Sequence, residues 1–440
     1  MKSERIYPLF LQKIEDRIKT LISNIFSEEE ISDKEEKYRV LISFENNSKR
    51  EEFIGKYKDF TIKRKFDLIS AVNLLLTEKE IQNLKNDILI ERIEEDQKLY
   101  LSILDVIKNI ELNKYRKSQF SFTGKNITIG IIDNGINQEI DSIWDIIEKK
   151  YTLQEKGKTK KRQNKEKLIT HGTIMANIIG NQYLDYYDRI IGIAPYVKIV
   201  DFDISNLKEE YFISDILEIF DIIIKNEKNL DILLISLTAL APSDGKDILS
   251  TACNLLAERD ILIICPAGNF GPEDYTIGSP SAAEKVITIG SLTKNDEIAY
   301  YSGRGPTLDE KIKPDFCLPG SKLTIPFSND LQITMSGTSI AAALGAGIIA
   351  LIKEANPLIS YKEVLDIFKN ACKDLNYANT SQGFGTTNIP EIFKQMDLFQ
   401  EKTLPYNYLL KRSLKFSGEF IIFLIILYLA FYFIDFSRFF

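Results

Sequence analysis

Apolar positions in this chain fall into two rhythms. Between residues 120 and 395, short apolar runs at 127–132, 197–200, 232–237, 261–265 and 286–289 are bounded by polar residues, Gly or Pro. Unbroken runs of this length predict strands covered on both faces, as in a parallel sheet. Helical patterns lie between them, at 213–224 and 248–258. The alternation predicts an α/β domain with a doubly wound, mostly parallel sheet over residues 118–396. Ligands of such sheets bind beyond the carboxyl ends of the strands, so chemistry is expected just after these runs.

Upstream the rhythm changes. Apolar runs at 38–44 and 68–76, a charged helical run at 78–85, and a short run at 88–93 lead into Glu94-Glu95-Asp96. This predicts a small α+β domain over residues 35–102. Residues 1–34 read as a charged helical extension. Lys2, Glu4, Arg5, Lys13, Glu15, Asp16, Arg17 and Lys19 leave no apolar stretch of the kind a secretory signal needs.

At the other end, fifteen consecutive residues, 420–434, carry no charge. As a helix they span roughly 22 Å, against a hydrocarbon core of about 30 Å. A helix apolar on every face at this position predicts a C-terminal membrane anchor over 419–436, reached through a juxtamembrane linker at 397–418. Lys411, Arg412 and Lys415 precede it, and Asp435 and Arg438 follow. The excess of basic residues on the near side places the preceding domains in the cytoplasm, on a single-pass membrane protein.

Charge and cysteine content narrow the picture. A net charge of −7 gives no general attraction to nucleic acid, and none is expected as a partner. Cys253, Cys265, Cys317 and Cys372 form no C-x-x-C pair and are too sparse for a disulfide framework, so reduced and mostly buried thiols are expected. Residues 149–167 carry nine basic side chains. They read as a solvated insertion, with a docking surface for an acidic partner or anionic membrane as the alternative.

Four positions carry candidate chemistry. Asp133 ends the run 127–132 and is followed by Asn134-Gly135. His171, the single histidine of the chain, sits in Thr170-His171-Gly172-Thr173 at the start of an apolar helical stretch. Asn269 lies in Pro266-Ala267-Gly268-Asn269-Phe270-Gly271, directly after the run 261–265. Ser339 lies in Met335-Ser336-Gly337-Thr338-Ser339-Ile340-Ala341-Ala342 at the start of a long apolar helix. Each alone has an ordinary structural role as a turn or cap residue. Together they supply a nucleophile, a base, a carboxylate to orient the base, and an amide to stabilise an oxyanion.

The chain order Asp, His, Asn, Ser and these motifs resemble the subtilase family of subtilisin-like serine proteases. Further matching segments are Gly192-Ile193-Ala194-Pro195, Leu234-Ile235-Ser236-Leu237, Tyr301-Ser302-Gly303-Arg304-Gly305-Pro306 and Lys313-Pro314-Asp315-Phe316-Cys317-Leu318-Pro319-Gly320. The resemblance covers about 120–395 and implies a serine endopeptidase acting on peptide or protein substrates. It implies Asp133, His171 and Ser339 as a catalytic triad and Asn269 as oxyanion donor. Substrate would be bound by Ser236, Leu237, Thr238, Ala267, Gly268 and Thr338. Residues 37–101 resemble the family's propeptide, whose carboxyl end would occupy the active site until cleaved near 99–104.

Catalysis by this route needs no cofactor and no catalytic metal. The resemblance leaves room for structural calcium without placing it, Asp185 and Asp188 lying in a suitable region. Thr238 and Ala239 stand where the family often has Gly-Gly, which narrows or reshapes the main specificity pocket. Ile340 and Ala343 also depart from the family's usual Met and Pro without removing a catalytic group. Two alternatives remain: a silent pseudoprotease serving as a membrane-anchored peptide-binding scaffold, and an ester hydrolase, against which the lack of a G-x-S-x-G elbow around Ser339 counts.

Overall fold

The computed structural model describes residues 37–66, 68–96, 98–101, 111–116, 121–153, 169–182, 192–205, 210–327 and 332–398. The N-terminal extension, the apolar segment 420–434, Asp185, Asp188 and most of the basic stretch lie outside the described residues.

The N-terminal part is a four-stranded antiparallel sheet of β1 (Lys37–Ser43), β2 (Ile62–Phe66), β3 (Ala71–Thr77) and β4 (Arg92–Glu95), in the order β2-β3-β1-β4. Helices α1 (Asn47–Lys56) and α2 (Glu78–Leu84) accompany it, and Val40, Ile42, Phe53, Val72, Leu74 and Leu84 form a core of its own. Thr77 starts α2 with a capping box: its hydroxyl accepts from the Glu80 N–H while the Glu80 carboxylate accepts from the Thr77 N–H. Two details differ from the sequence reading. Residues 88–90 are turn rather than strand, and pairing begins only at Arg92. The strand β2 was not expected, because its Ile-Lys-Arg-Lys-Phe sequence is dominated by charge, as suits a sheet edge.

After β5 (Lys98–Leu101), a parallel sheet of seven strands forms the centre of the molecule. It comprises β6 (Thr128–Asp133), β7 (Ile147–Thr152), β8 (Lys198–Asp203), β10 (Ile232–Ile235), β12 (Leu262–Pro266), β13 (Val286–Leu292) and β14 (Phe316–Pro319). The order is β14-β13-β12-β10-β6-β8-β7, and all six pairings are parallel. One face packs helices α3 (His171–Gly180) and α6 (Thr338–Ala355) through Ile129, Ile131, Ile264, Ile289 and Ile348. The other packs α4 (Ile213–Asn226) and α5 (Ile248–Ala257) through Phe202, Leu233, Ile263, Ile216 and Leu249. This is the three-layer α/β arrangement expected of continuous apolar strands.

The run 232–237 is not one strand. It breaks at Ser236, and β11 (Leu237–Ala239) leaves the parallel sheet to join β5 and β9 (Tyr211–Phe212) in a separate sheet, ordered β11-β5-β9. Helix α6 is the one described helix long and apolar enough to cross a membrane, and it is 89% buried as the core helix of this domain.

The two sheets meet. Leu41, Phe66, Ile69 and Ala71 of the N-terminal part join the apolar cluster over α4 and α5. Polar contacts surround this seam. Asp96 accepts from the Ser214 N–H at 2.9 Å and the Ser214 hydroxyl at 2.8 Å at the start of α4, and from Arg39 and Asn73 on its own side. Glu94 accepts from the Ile248 N–H at 2.8 Å, the first N–H of α5. Acidic side chains from one part thus satisfy N–H groups at helix starts in the other that have no partner within their own helix.

Candidate active site

Three chain-distant side chains converge at the carboxyl end of the parallel sheet. β6 delivers Asp133 at its last residue. Helix α3 begins with His171, after Thr170, whose hydroxyl accepts from the Thr173 N–H. Helix α6 begins at Thr338, so Ser339 is its second residue.

His171 Nδ1 lies 2.7 Å from Asp133 Oδ2, and His171 Nε2 lies 3.0 Å from Ser339 Oγ. An ionised Asp133 can only accept, so Nδ1 carries the ring proton and Nε2 is left to accept from the serine hydroxyl. All three side chains are buried. The other oxygen of Asp133 accepts from the Asn134 N–H at 2.7 Å. Asn134 Oδ1 in turn accepts from the Gly172 N–H at 3.0 Å, tying the turn after β6 to the start of the histidine helix. Gly172 is required by space: a Cβ there would sit 2.8 Å from the Gly135 carbonyl oxygen.

Asn269 follows β12 on a turn where Gly268 has φ +91. Its Oδ1 accepts from both the Thr338 N–H at 3.0 Å and the Thr338 hydroxyl at 2.7 Å. With the oxygen committed to Thr338, the amide NH2 is turned away from it and remains the donor. Thr338 is therefore the residue that fixes the Asn269 amide, immediately before Ser339 in the chain.

The remaining candidate binding residues lie on or just before β11 and on the neighbouring Ala267-Gly268 turn, with Thr338 held by Asn269. Ser236 sits at the break between β10 and β11, and Leu237 and Thr238 lie on β11. Thr238 is buried, and its Cγ2 is 3.1 Å from where a Gly268 Cβ would be, so its methyl fills the space between β11 and the Ala267-Gly268 turn. β5 runs antiparallel beside β11, with Leu101 opposite Leu237, Tyr100 opposite Thr238 and Leu99 opposite Ala239. The chain's own segment thus adds an extended strand to an enzyme strand.

One group of charged residues near the site has no counterpart in the sequence reading. Asp201 and Asp203, near the end of β8, are buried, and Lys150 of β7 reaches both, at 2.7 and 2.9 Å. Lys149 and Lys150 opened what read as a solvated basic insertion, but both belong to the edge strand β7. The signal for the acids was present in Val-Asp-Phe-Asp, an alternation carrying two carboxylates beyond an apolar run.

Among the described residues, no group of three or more His, Cys, Asp or Glu side chains is arranged to hold a metal ion. All four cysteines are free, three of them buried, and burial pushes the Cys372 thiol up to about 12.

Comparison with known proteins agrees on one family. The sequence profile of the subtilase family matches residues 124–386. The chain is 28% identical over 376 residues to serine protease AprX of Bacillus subtilis (strain 168), covering 76% of this chain and 82% of that protein. It is 26% identical over 362 residues to minor extracellular protease Epr of the same organism, covering 79% of this chain and 52% of Epr. The crystal structure of the epidermin leader peptide processing serine protease EpiP from Staphylococcus aureus superposes with a TM-score of 0.60 at 16% identity, over 82% of this chain and 99% of that one. Fervidolysin from Fervidobacterium pennivorans gives a TM-score of 0.61 at 16% identity, over 83% of this chain and 62% of that one.

Proposed function

Because the chain belongs to the subtilase family and is a subtilisin-like serine protease, we propose that Asp133, His171 and Ser339 are its catalytic triad and that Asn269 and the Ser339 N–H form its oxyanion hole. His171 Nε2 takes the Ser339 proton as Oγ attacks the scissile carbonyl. Asp133 holds the tautomer and stabilises the imidazolium that forms. The carbonyl oxygen, now negative, is met by the Asn269 amide. His171 then gives the proton to the leaving amine, and water repeats the sequence to release the acyl group from Ser339. The observation that carries this reading is the continuous 2.7 Å and 3.0 Å path from Asp133 through His171 to Ser339.

Substrate binds in this reading as an extended strand on β11, in the place β5 takes. The cleft wall formed by Thr238 favours a small side chain next to the scissile bond. Residues 35–102 act as the chain's own inhibitor, cleaved near 99–104. The segment 420–434 tethers the enzyme to a membrane, with the catalytic domain on the cytoplasmic side.

The test is expression of the full-length chain beside Ser339→Ala, with intact mass and cleavage of a peptide panel. The parent is expected to lose roughly its first hundred residues and to cut preferentially after small residues. Ser339→Ala should stay intact, with turnover lower by about 10⁶-fold. A parent that stays intact and silent, or a Ser339→Ala chain that is processed and active alike, contradicts the reading.

A further inference from the structure

The turn that follows Asp133 rests on a buried charge cluster that the triad does not use. Asp201 Oδ2 accepts from the Ile136 N–H at 3.0 Å. Asp203 pairs in register with Asp133 across β6 and β8, and its carboxylate packs under Gly135. A Cβ on Gly135 would lie 2.6 Å from that carboxylate, and Gly135 has φ +88, so only glycine lets the turn close onto the acid. The Gly135 carbonyl accepts the hydroxyl of Thr170, the residue that caps the His171 helix. The support therefore runs from Asp201 and Asp203, through residues 135 and 136, to both Asp133 and His171.

Two buried carboxylates side by side repel one another, and burial disfavours both charges. Lys150 resolves this. It enters from the edge strand β7 with 32% of its side chain exposed and reaches Asp201 at 2.7 Å and Asp203 at 2.9 Å. Among the described residues, Asp133 on β6 stands opposite Asp203 and is itself paired with His171 on α3, while Glu139 and Asp141 of the intervening loop are exposed.

Resting on the catalytic reading above, we infer that Lys150 is a positioning residue for the Asp133–His171 pair. It keeps Asp201 and Asp203 ionised together, and these hold the turn from which Asp133 reaches the imidazole. Removing the ammonium leaves two buried carboxylates uncompensated, and one must take up a proton. Asp201, which burial already pushes up to about 6, would move further up without Lys150.

The single histidine makes this testable without relying on activity. In the full-length Ser339→Ala chain labelled with ¹⁵N-histidine, the imidazole nitrogens and the Nδ1 proton belong to His171 alone. Adding Lys150→Met is expected to shift the Nδ1 proton resonance. It should also move the Asp201-linked inflection of these resonances to higher pH than in the parent, a shift that disappears in Lys150→Met/Asp201→Asn, where the charge imbalance is removed. In chains that retain Ser339, Lys150→Met should lower kcat by about tenfold with KM changed less than twofold, and Lys150→Arg should recover most of the loss. A folded Lys150→Met chain with unchanged His171 resonances and titration overturns the inference, whatever its activity. If Lys150→Met does not fold, the double variant decides: parental resonances there support the role, and altered ones overturn it. A parent with no peptidase activity but the expected His171 response would contradict the catalytic reading and leave the positioning role standing.

Discussion

The chain buries Asp96 at the seam between its two parts and Asp133 at the end of the parallel sheet, and it treats them differently. At the seam between the N-terminal sheet and the helices α4 and α5, Asp96 is met by donors from both sides, including the Ser214 N–H and hydroxyl, Asn73 and Arg39. At the catalytic end, Asp133 has one oxygen on His171 and the other on the neighbouring N–H. The first arrangement joins two parts that each have a core of their own; the second lies within one part, with its partners supplied by the helix start at His171 and the turn after β6. The difference teaches where control can sit. The Asp133–His171–Ser339 geometry is complete within its own domain, so on the proposed reading regulation would fall to the seam, where contacts can be made and broken without disturbing these three residues.

Breaking the catalytic side should have the largest effects. Asp133→Asn preserves shape but lets the imidazole take the wrong tautomer, and kcat is expected to fall by about 10⁴-fold in a peptide assay. Asn269→Ala removes the side-chain donor and should lower kcat by about 10²–10³-fold, with KM much less affected. A larger change in KM than in kcat would place Asn269 in substrate binding instead. Neither substitution should loosen the N-terminal part, which gel filtration of the chains would check.

The seam should respond to pH instead. Burial, and then the nearby Asp247 charge, push the Glu94 carboxyl up to about 8, although Arg92 and the Ile248 N–H act in the opposite direction. When the N-terminal part separates, Glu94 returns to water and to an ordinary value near 4.5. The docked state therefore holds the extra proton. Docking is strongest below the ordinary value and is lost progressively as pH rises toward about 8, by at most about tenfold per pH unit. Co-elution of the cleaved N-terminal part with the enzyme should decline over that window, and Glu94→Gln should flatten the decline. A parental pH dependence in Glu94→Gln would assign it to another group.

Much of this was legible because buried parallel strands announce themselves. The runs 127–132 and 261–265 mark where Asp133 and Asn269 emerge, and a helix start marks His171 and Ser339. Asp133, His171 and Ser339 were singled out by motif, and the fold brings them within hydrogen-bond reach. What escaped depends on neighbours that periodicity does not encode. Ile-Glu-Lys-Lys-Tyr-Thr in β7 is too charged to read as a strand, because an edge strand needs only one covered face. Lys150 looked solvated for the same reason. The role of Thr338 in orienting Asn269 is set by a contact across 69 positions of sequence, and the break at Ser236 by strand pairing with β5 rather than by any change in hydrophobicity.

The most direct measurement is active-site phosphonylation. The full-length chain would be treated with a serine-directed fluorophosphonate after self-cleavage and mapped by peptide mass, beside Asp133→Asn. One adduct is expected, on Ser339, formed far more slowly in the variant. An adduct on another serine, or labelling of Ser339 at the same rate without the Asp133 carboxylate, would contradict it.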